Sequence, residues 1–258
     1  MSELIHSELN PRDWIAGLEK GLALIQTFDE EHSRMTVSQV GQRSGLTRTA
    51  CRRYLLTLVH LGFVETDGKL YWLTPKVMRL GQAYLESARL PRIVQPSLQR
   101  LALGTQEISF VGVLDGEEIV YVARNGHNRS MNTSFALGAR VPAHTTSAGL
   151  MLLSLRGRSG IDSYLETHEL KAYTSNTITD KNRLRDWLMQ IEKQGWASSE
   201  QQLELSYRGV AVPLRDHKGN VVAALSVSMP IGHESTQEAC DRVLPVLREV
   251  AQSLRALI

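Results

Sequence analysis

Between Arg34 and Arg79 the chain carries an ordered set of backbone signals that few folds can satisfy. Thr36-Val37-Ser38-Gln39 has the spacing of a capping box, in which a threonine hydroxyl and a glutamine side chain satisfy each other's free backbone donors at a helix start. Gly45 follows where a helix end wants a left-handed residue, and Thr47 stands as N-cap for the next helix. Beyond Gly62, Phe63-Val64-Glu65-Thr66 faces Lys69-Leu70-Tyr71-Trp72-Leu73 across Asp67-Gly68, a favoured two-residue hairpin turn. Helix, glycine-containing turn, helix and hairpin in this order predict a winged helix-turn-helix.

The charge pattern agrees. Eight Lys/Arg stand in this stretch against only Glu65 and Asp67, a local charge of +6. On a helical wheel of the third helix, Ala50, Cys51, Tyr54, Leu55, Leu58 and Leu61 share an arc of about 140°, which is a core face. Arg48, Thr49, Arg52, Arg53, Thr57 and His60 fill the opposite side. The N-terminal half of such a helix enters the major groove, where an arginine can bridge O6 and N7 of guanine. The candidate DNA contacts are therefore Thr47, Arg48, Thr49, Arg52 and Arg53, with Lys69 beside a phosphate on the wing. A solvated basic face that binds protein, or nothing, is the alternative. Upstream, Leu18, Leu22, Ile25 and Phe28 recur at helical spacing and predict a first helix from about Trp14 to Glu31 that floors the small core. Met1 to Arg12 reads as a loose arm, neither signal peptide nor anchor.

After Pro75, Val77, Leu80, Gly81, Tyr84, Leu85 and Ala88 form an apolar helical stripe that Pro91 is expected to stop. Such a stripe needs a partner, either the same helix of a second subunit or the chain's own second domain. The two-fold symmetry of paired DNA half-sites favours the first. Residues 1–74 thus form an arm and DNA-binding domain, 75–90 a linker helix, and 91–258 a second domain of near-neutral charge. In that domain a short helix over Ile93–Leu103 precedes strands at Ile108–Leu114 and Glu118–Arg124, joined across Asp115-Gly116-Glu117, with a possible third at Met131–Phe135. Helices follow over Ser147–Leu155, Gly160–His168 and Lys181–Gln194, then strands Trp196–Ser199, Gly209–Leu214 and Val221–Met229, and a last helix over Glu234–Ala256. This is an α+β architecture, an antiparallel sheet with helices around it.

The order of elements, the stretch Arg140-Val141-Pro142-Ala143-His144-Thr145-Thr146-Ser147-Ala148-Gly149, and Gly209-Val210-Ala211-Val212-Pro213 leading to Gly219-Asn220-Val221-Val222 through Ser228 resemble the IclR family of bacterial transcription regulators over nearly the whole chain. Trp14 through Ile25 and Leu61 through Gly68 are similar to its PcaR/PcaU/PobR branch. The resemblance implies a GAF-like effector-binding domain, a small organic, aromatic acid as effector, operator DNA as partner, a homodimer or tetramer, and control of catabolic genes of the protocatechuate and β-ketoadipate pathway. Matched onto this sequence, it implies an effector pocket made by Ser147, Ala148 and Gly149 at a helix start, by Ser226 and Ser228 on the long strand, by Ser199, Tyr207 and Gly209 on the facing wall, and by Thr133. A helix N-terminus is a natural anion site, so the chemistry agrees. Arg208 has two readings, a bidentate partner for an effector carboxylate or a plain surface arginine. His144 likewise is either a ligand contact or a residue supporting the loop.

Other classes find little support. The chain has no G-x-S-x-G, P-loop, G-x-G-x-x-G or H-E-x-x-H motif and no carboxylate cluster at ligand spacing, so neither catalysis, metal nor cofactor is expected. Cys51 and Cys240 lie far apart, read as core residues and suggest a reducing compartment. The most apolar windows fall short of the roughly 20 residues that span a bilayer, and the expected location is cytoplasmic. The competing functional class is a small-molecule-binding or catalytic domain with a basic protein-interaction module in front.

Overall fold

Residue spacing alone places the starts of the second and third helices, and each expected cap there is formed. A computed structural model describes residues 10, 12–126 and 135–258. The Gln39 amide donates to the Thr36 hydroxyl (3.4 Å) and the Thr36 amide to the Gln39 side chain (2.9 Å), starting α2 (Val37–Ser44). Gly45 ends α2 at φ 67°, and the Thr47 hydroxyl accepts the Ala50 amide to start α3 (Arg48–His60). Cys51, Leu55 and Leu58 of α3 are buried with Leu24, Val40, Val64 and Tyr71 in one core.

Several boundaries differ from expectation. The first helix, α1, covers only Ala16–Ile25, and Leu24 is its buried residue while Leu18 and Leu22 stay exposed. Leu61 is also exposed, because α3 ends at His60 and Leu61 only caps it. A strand not anticipated, β1 (Met35–Thr36), pairs with β3 (Leu70–Leu73), which pairs with β2 (Val64–Thr66), giving a three-stranded antiparallel sheet. The wing register is shifted: Thr66 pairs with Tyr71, so the tip is Gly68-Lys69. The Asp67 carboxylate causes this by accepting the amides of Lys69 (2.9 Å) and Leu70 (2.7 Å), a side-chain turn that occupies the residue expected at the tip.

The chain divides between Tyr84 and Leu85 into two compact units, inside the helix α4 (Met78–Ser87). Leu80 and Tyr84 of its stripe are exposed. The next helix, α5 (Arg89–Thr105), starts earlier than expected, with Pro91 in its first turn rather than beyond a stop. Proline is tolerated there because the first-turn amides lack intrahelical acceptors.

In the second unit β4 (Ile108–Asp115), β5 (Glu118–Asn125), β6 (Arg140–Pro142), β7 (Ala197–Glu200), β8 (Tyr207–Arg215) and β9 (Val221–Pro230) form one antiparallel sheet in the order β6-β5-β4-β9-β8-β7. The expected strand at Met131–Phe135 lies outside the described residues except for Phe135. One sheet face packs on α5 and on α9 (Thr236–Leu254) through Val94, Leu98, Val210, Leu225, Val243 and Leu247. The other face carries α6 (Ser147–Ser154), with α7 (Gly157–Thr167) and α8 (Lys181–Gln194) contributing to the same core. Cys51 and Cys240 are free and buried, as core residues should be.

Every residue of α6 is buried. A helix with no exposed face must be held by close contacts on all sides. A methyl group on Gly149 would lie 2.1 Å from the Ala143 carbonyl oxygen and 2.4 Å from its Cα, both backbone atoms that cannot swing aside. Gly149→Ala is expected to destabilise the protein by about 3 kcal/mol or more, the upper range for overpacking. Urea unfolding of both proteins measures it, and a loss under about 1 kcal/mol would mean that α6 can slide on this contact.

Candidate functional site

The sheet register assembles a polar floor beneath α6. Ser199 of β7 pairs with Gly209 of β8, which pairs with Ser228 of β9; one step along, Ala197, Ala211, Ser226 and Phe110 form the parallel row. Directly paired residues share a face. Ala197, Ala211 and Phe110 belong to the core that contains α6, so the hydroxyls of Ser199, Ser226 and Ser228 project toward that helix. Ser147 opens α6 just above Gly209: a Cβ there would stand 2.6 Å from the Ser147 hydroxyl oxygen and 3.3 Å from that of Ser199. Glycine is what lets the helix start come down onto the strand.

The donors of this floor are open to a ligand. Thr146 caps α6 by accepting the Gly149 amide at 3.0 Å, and the amides of Ser147 and Ala148 are left without intrahelical acceptors. Among the described residues no other side chain or carbonyl engages the hydroxyls of Ser147, Ser199, Ser226 or Ser228. Neutral donors at the positive end of a helix are suited to a carboxylate. Around them stands an aromatic wall, with ring centroids 5.3 Å apart for Tyr207–Phe135, 5.9 Å for Phe135–Phe110 and 4.7 Å for Phe110–Tyr121. The cavity between is small, about 40 Å³.

Ser147, Ala148, Gly149, Ser199, Tyr207, Gly209, Ser226 and Ser228 are thus brought together around one helix start. Thr133 lies outside the described residues. Arg208 requires a correction. It alternates with Gly209 along β8, so its side chain emerges on the opposite face, where its Nε (3.2 Å) and Nη2 (3.1 Å) meet Glu200 and its Nη1 donates to the carbonyls of Glu234 and Ser235 at 3.0 Å each. It is buried, neither a surface residue nor a clamp turned toward the serines. Sequence reasoning misses Phe110, Tyr121 and Phe135. Tyr121 pairs across the Asp115-Gly116-Glu117 hairpin with Gly112, two residues on from Phe110, so the first two share a face, a signal that strand parity contains; Phe135 has none.

His144 supports the loop. It is 4% exposed, its Nε2 donates to the Lys171 carbonyl at 3.2 Å, and it borders a different cavity with Tyr164 and Tyr173. Burial lowers its pKa, and burial foremost pushes the Tyr164 phenol up to about 12. The unfolded chain therefore binds a proton at His144 more readily than the folded one. Stability is complete above the ordinary imidazole value of 6.5 and is lost as pH falls below it. Urea unfolding between neutral and mildly acid pH should show this decline, and His144→Gln should flatten it; an equal slope in the variant would remove His144 as its source.

On the first unit, Thr47, Arg48, Thr49, Arg52 and Arg53 are exposed along one side of α3, and Lys69 is exposed at the wing tip beside Gly68, which has φ 94°. Among the described residues none of the four basic side chains here enters an ion pair. Other cations have structural duties. Arg43 pairs with Asp29 (2.5 Å) and donates to the Thr27 carbonyl (2.9 Å), while Lys76 donates to the Leu61 carbonyl (2.7 Å). Arg34 lies over Trp72, 4.2 Å from the ring centroid, fixing a further positive charge on the wing. No three His, Cys, Asp or Glu side chains among the described residues gather as a metal site.

Comparison with known proteins follows the same division. Residues 17–68 match the family model for the IclR helix-turn-helix domain, and residues 82–256 the model for the bacterial transcriptional regulator IclR C-terminal region. The Pca regulon regulatory protein of Pseudomonas putida is 38% identical over 243 residues, covering 94% of this chain and 84% of that protein. The p-hydroxybenzoate hydroxylase transcriptional activator of Acinetobacter baylyi is 38% identical over 256 residues, covering 97% and 94%. In three dimensions the chain is similar to an IclR homolog from Microbacterium hydrocarbonoxydans complexed with 4-hydroxybenzoate, with 26% identity, a TM-score of 0.74, and coverage of 93% of this chain and 98% of that one.

Proposed function

The chain belongs to the IclR family of bacterial transcriptional regulators, and we propose that it controls aromatic-acid catabolic genes by reading operator DNA with α3 and sensing a small aromatic acid beneath α6. The observation that carries the effector half is the set of free hydroxyls and helix amides facing a wall of aromatic rings. The donors suit a carboxylate and the rings suit a flat apolar body. The names of the relatives, a Pca regulon regulatory protein and a p-hydroxybenzoate hydroxylase transcriptional activator, support the protocatechuate, 4-hydroxybenzoate and β-ketoadipate routes that the sequence resemblance implies. On the DNA side Thr47, Arg48, Thr49, Arg52 and Arg53 serve as groove contacts and Lys69 as a phosphate contact. The exposed stripe of α4 supports a homodimer, or a tetramer built from dimers, and reading operator DNA places its action in the cytoplasm. The effector controls the genes by binding one arrangement of the protein better than another, since equal affinity for both would shift nothing.

Titrating wild type and variants against the DNA upstream of the protein's own gene tests the first half. Arg52→Ala should lose roughly 1–3 kcal/mol of discrimination between that DNA and random duplex. Lys69→Ala should weaken both duplexes alike and lower the slope of log affinity against log salt by about 1. If wild type prefers neither duplex, operator reading by α3 is wrong.

Thermal unfolding with a panel of aromatic acids tests the second half. A true effector at a hundredfold its dissociation constant adds about 2.7 kcal/mol of stability. A panel in which no acid raises the melting temperature would remove the support for an aromatic effector.

A further inference from the structure

The register of the sheet brings one more hydroxyl to the cavity beneath α6. Tyr121 of β5 pairs with Gly112 of β4, two residues on from Phe110, and Phe110 pairs with Ser226 of β9. Tyr121 belongs to the same core as Phe110 and lines the same cavity as the serines. Its ring is held on two sides. The Phe110 ring lies 4.7 Å away between centroids, and a Cβ on Gly112 would stand 3.6 Å from both the Tyr121 Cδ1 and the Ala148 Cβ. Ala148 is the second residue of α6, so the tyrosine lies beside the helix start.

The phenol has no protein partner. Tyr121 is 5% exposed, and among the described residues no hydrogen bond reaches its hydroxyl. Burial foremost raises its pKa above the ordinary value of 10, so the group stays a neutral hydroxyl, able both to donate and to accept. A buried polar atom without a partner weakens a fold, and such an atom on a cavity wall is completed by whatever enters the cavity. Ser226, 3% exposed, is in the same state two strands away. Strand spacing and the two-residue offset put roughly 10 Å between the backbones of Tyr121 and Ser226, with Phe110 on the strand between them.

We infer that the Tyr121 hydroxyl is a specificity-determining ligand contact, which hydrogen-bonds a ring hydroxyl of the effector while the α6 start and the serine hydroxyls hold its carboxylate. The inference rests on the effector reading above. Two polar stations separated by an aromatic side chain match a ring with a polar group at each end. Because the serines and the Gly209 row lie on β7, β8 and β9, the tyrosine on β5 is left for the group farther from the carboxylate. A site built to hydrogen-bond a ligand hydroxyl rejects the analogue that lacks it, since its own buried group then stays unpaired.

The pair 4-hydroxybenzoate and 4-methylbenzoate, alike in size and shape, isolates the effect. Calorimetric titration of the full-length wild type should give 4-hydroxybenzoate an affinity about tenfold or more above that of 4-methylbenzoate. Tyr121→Phe should bring the two within roughly threefold of each other by weakening the hydroxy acid alone. Without ligand, the variant should melt no lower than wild type, because the hydroxyl it removes has no partner to lose. A lower melting temperature would mean a partner within the protein, and overturns the inference. So does a variant that keeps the preference, or one that weakens both acids alike, since the tyrosine would then be reading something other than the ring hydroxyl. If wild type binds both acids equally, the effector reading stands and the role of Tyr121 falls. If wild type binds no aromatic acid, both fall.

Discussion

Everything in the cavity beneath α6 depends on how closely that helix lies on its surroundings. Gly149 lets the helix sit on the backbone of Ala143, Gly209 lets its first residue come down onto β8, and at Gly112 a Cβ would stand 2.7 Å from an Ile119 methyl and 3.6 Å from the Ala148 Cβ. Three positions without a side chain thus bring a helix N-terminus and three strands to one point. Were the helix raised by the thickness of a methyl group, the Ser147 hydroxyl and the first amides would part from Ser199, Ser226 and Ser228. The site would then be scattered donors rather than a cradle. Because α6 has no exposed face, that geometry is enforced from above by the cores of α7 and α8 as well as from below by the sheet.

The cradle is lined by neutral donors. The nearest arginine along the strand, Arg208, is engaged elsewhere. With Glu200 it ties the β7–β8 pair to the start of α9, where the Thr236 hydroxyl also donates to the Glu200 carboxylate. A buried guanidinium is tolerable only with its donors satisfied, and here Glu200 and two carbonyls do so. The two faces of one short strand segment therefore divide the work. Gly209 and its neighbours in register face the cavity beneath α6, and Arg208 and Glu200 fasten the opposite layer.

In the first unit a similar division separates cations that build from cations that stand exposed on α3 and the wing tip. Arg43 and Lys76 hold carbonyls of turns and helix ends, and Arg34 is stacked on Trp72. Among the described residues Arg48, Arg52 and Arg53 have no such duties, because the apolar side of α3 is filled by Cys51, Leu55 and Leu58 and no acidic side chain pairs with the arginines. The wing is arranged in the same way. Asp67 directs its carboxylate to the amides of Lys69 and Leu70, which holds its own pKa down, and so presents Lys69 at the tip.

Elements whose causes are local were legible in the order of the residues. Thr36 with Gln39, Gly45 and Thr47 act within a few residues of themselves, and the turn at Gly116 joins strands that are neighbours in the chain, so their positions could be read from spacing. The apolar face of α3 was legible for the same reason, apart from Leu61, where the helix had already ended. Resemblance supplied the serines of the pocket, and the register then showed why they belong together. Tertiary packing settled which face Arg208 takes and whether Leu18 and Leu22 are covered. Those outcomes depend on pairings between residues far apart in the chain: Ser199 with Gly209 and Ser228, Thr174 with Gln201, Arg208 with Glu234. No periodicity carries that information, because the side of a strand that becomes the ligand face is set by what packs against it.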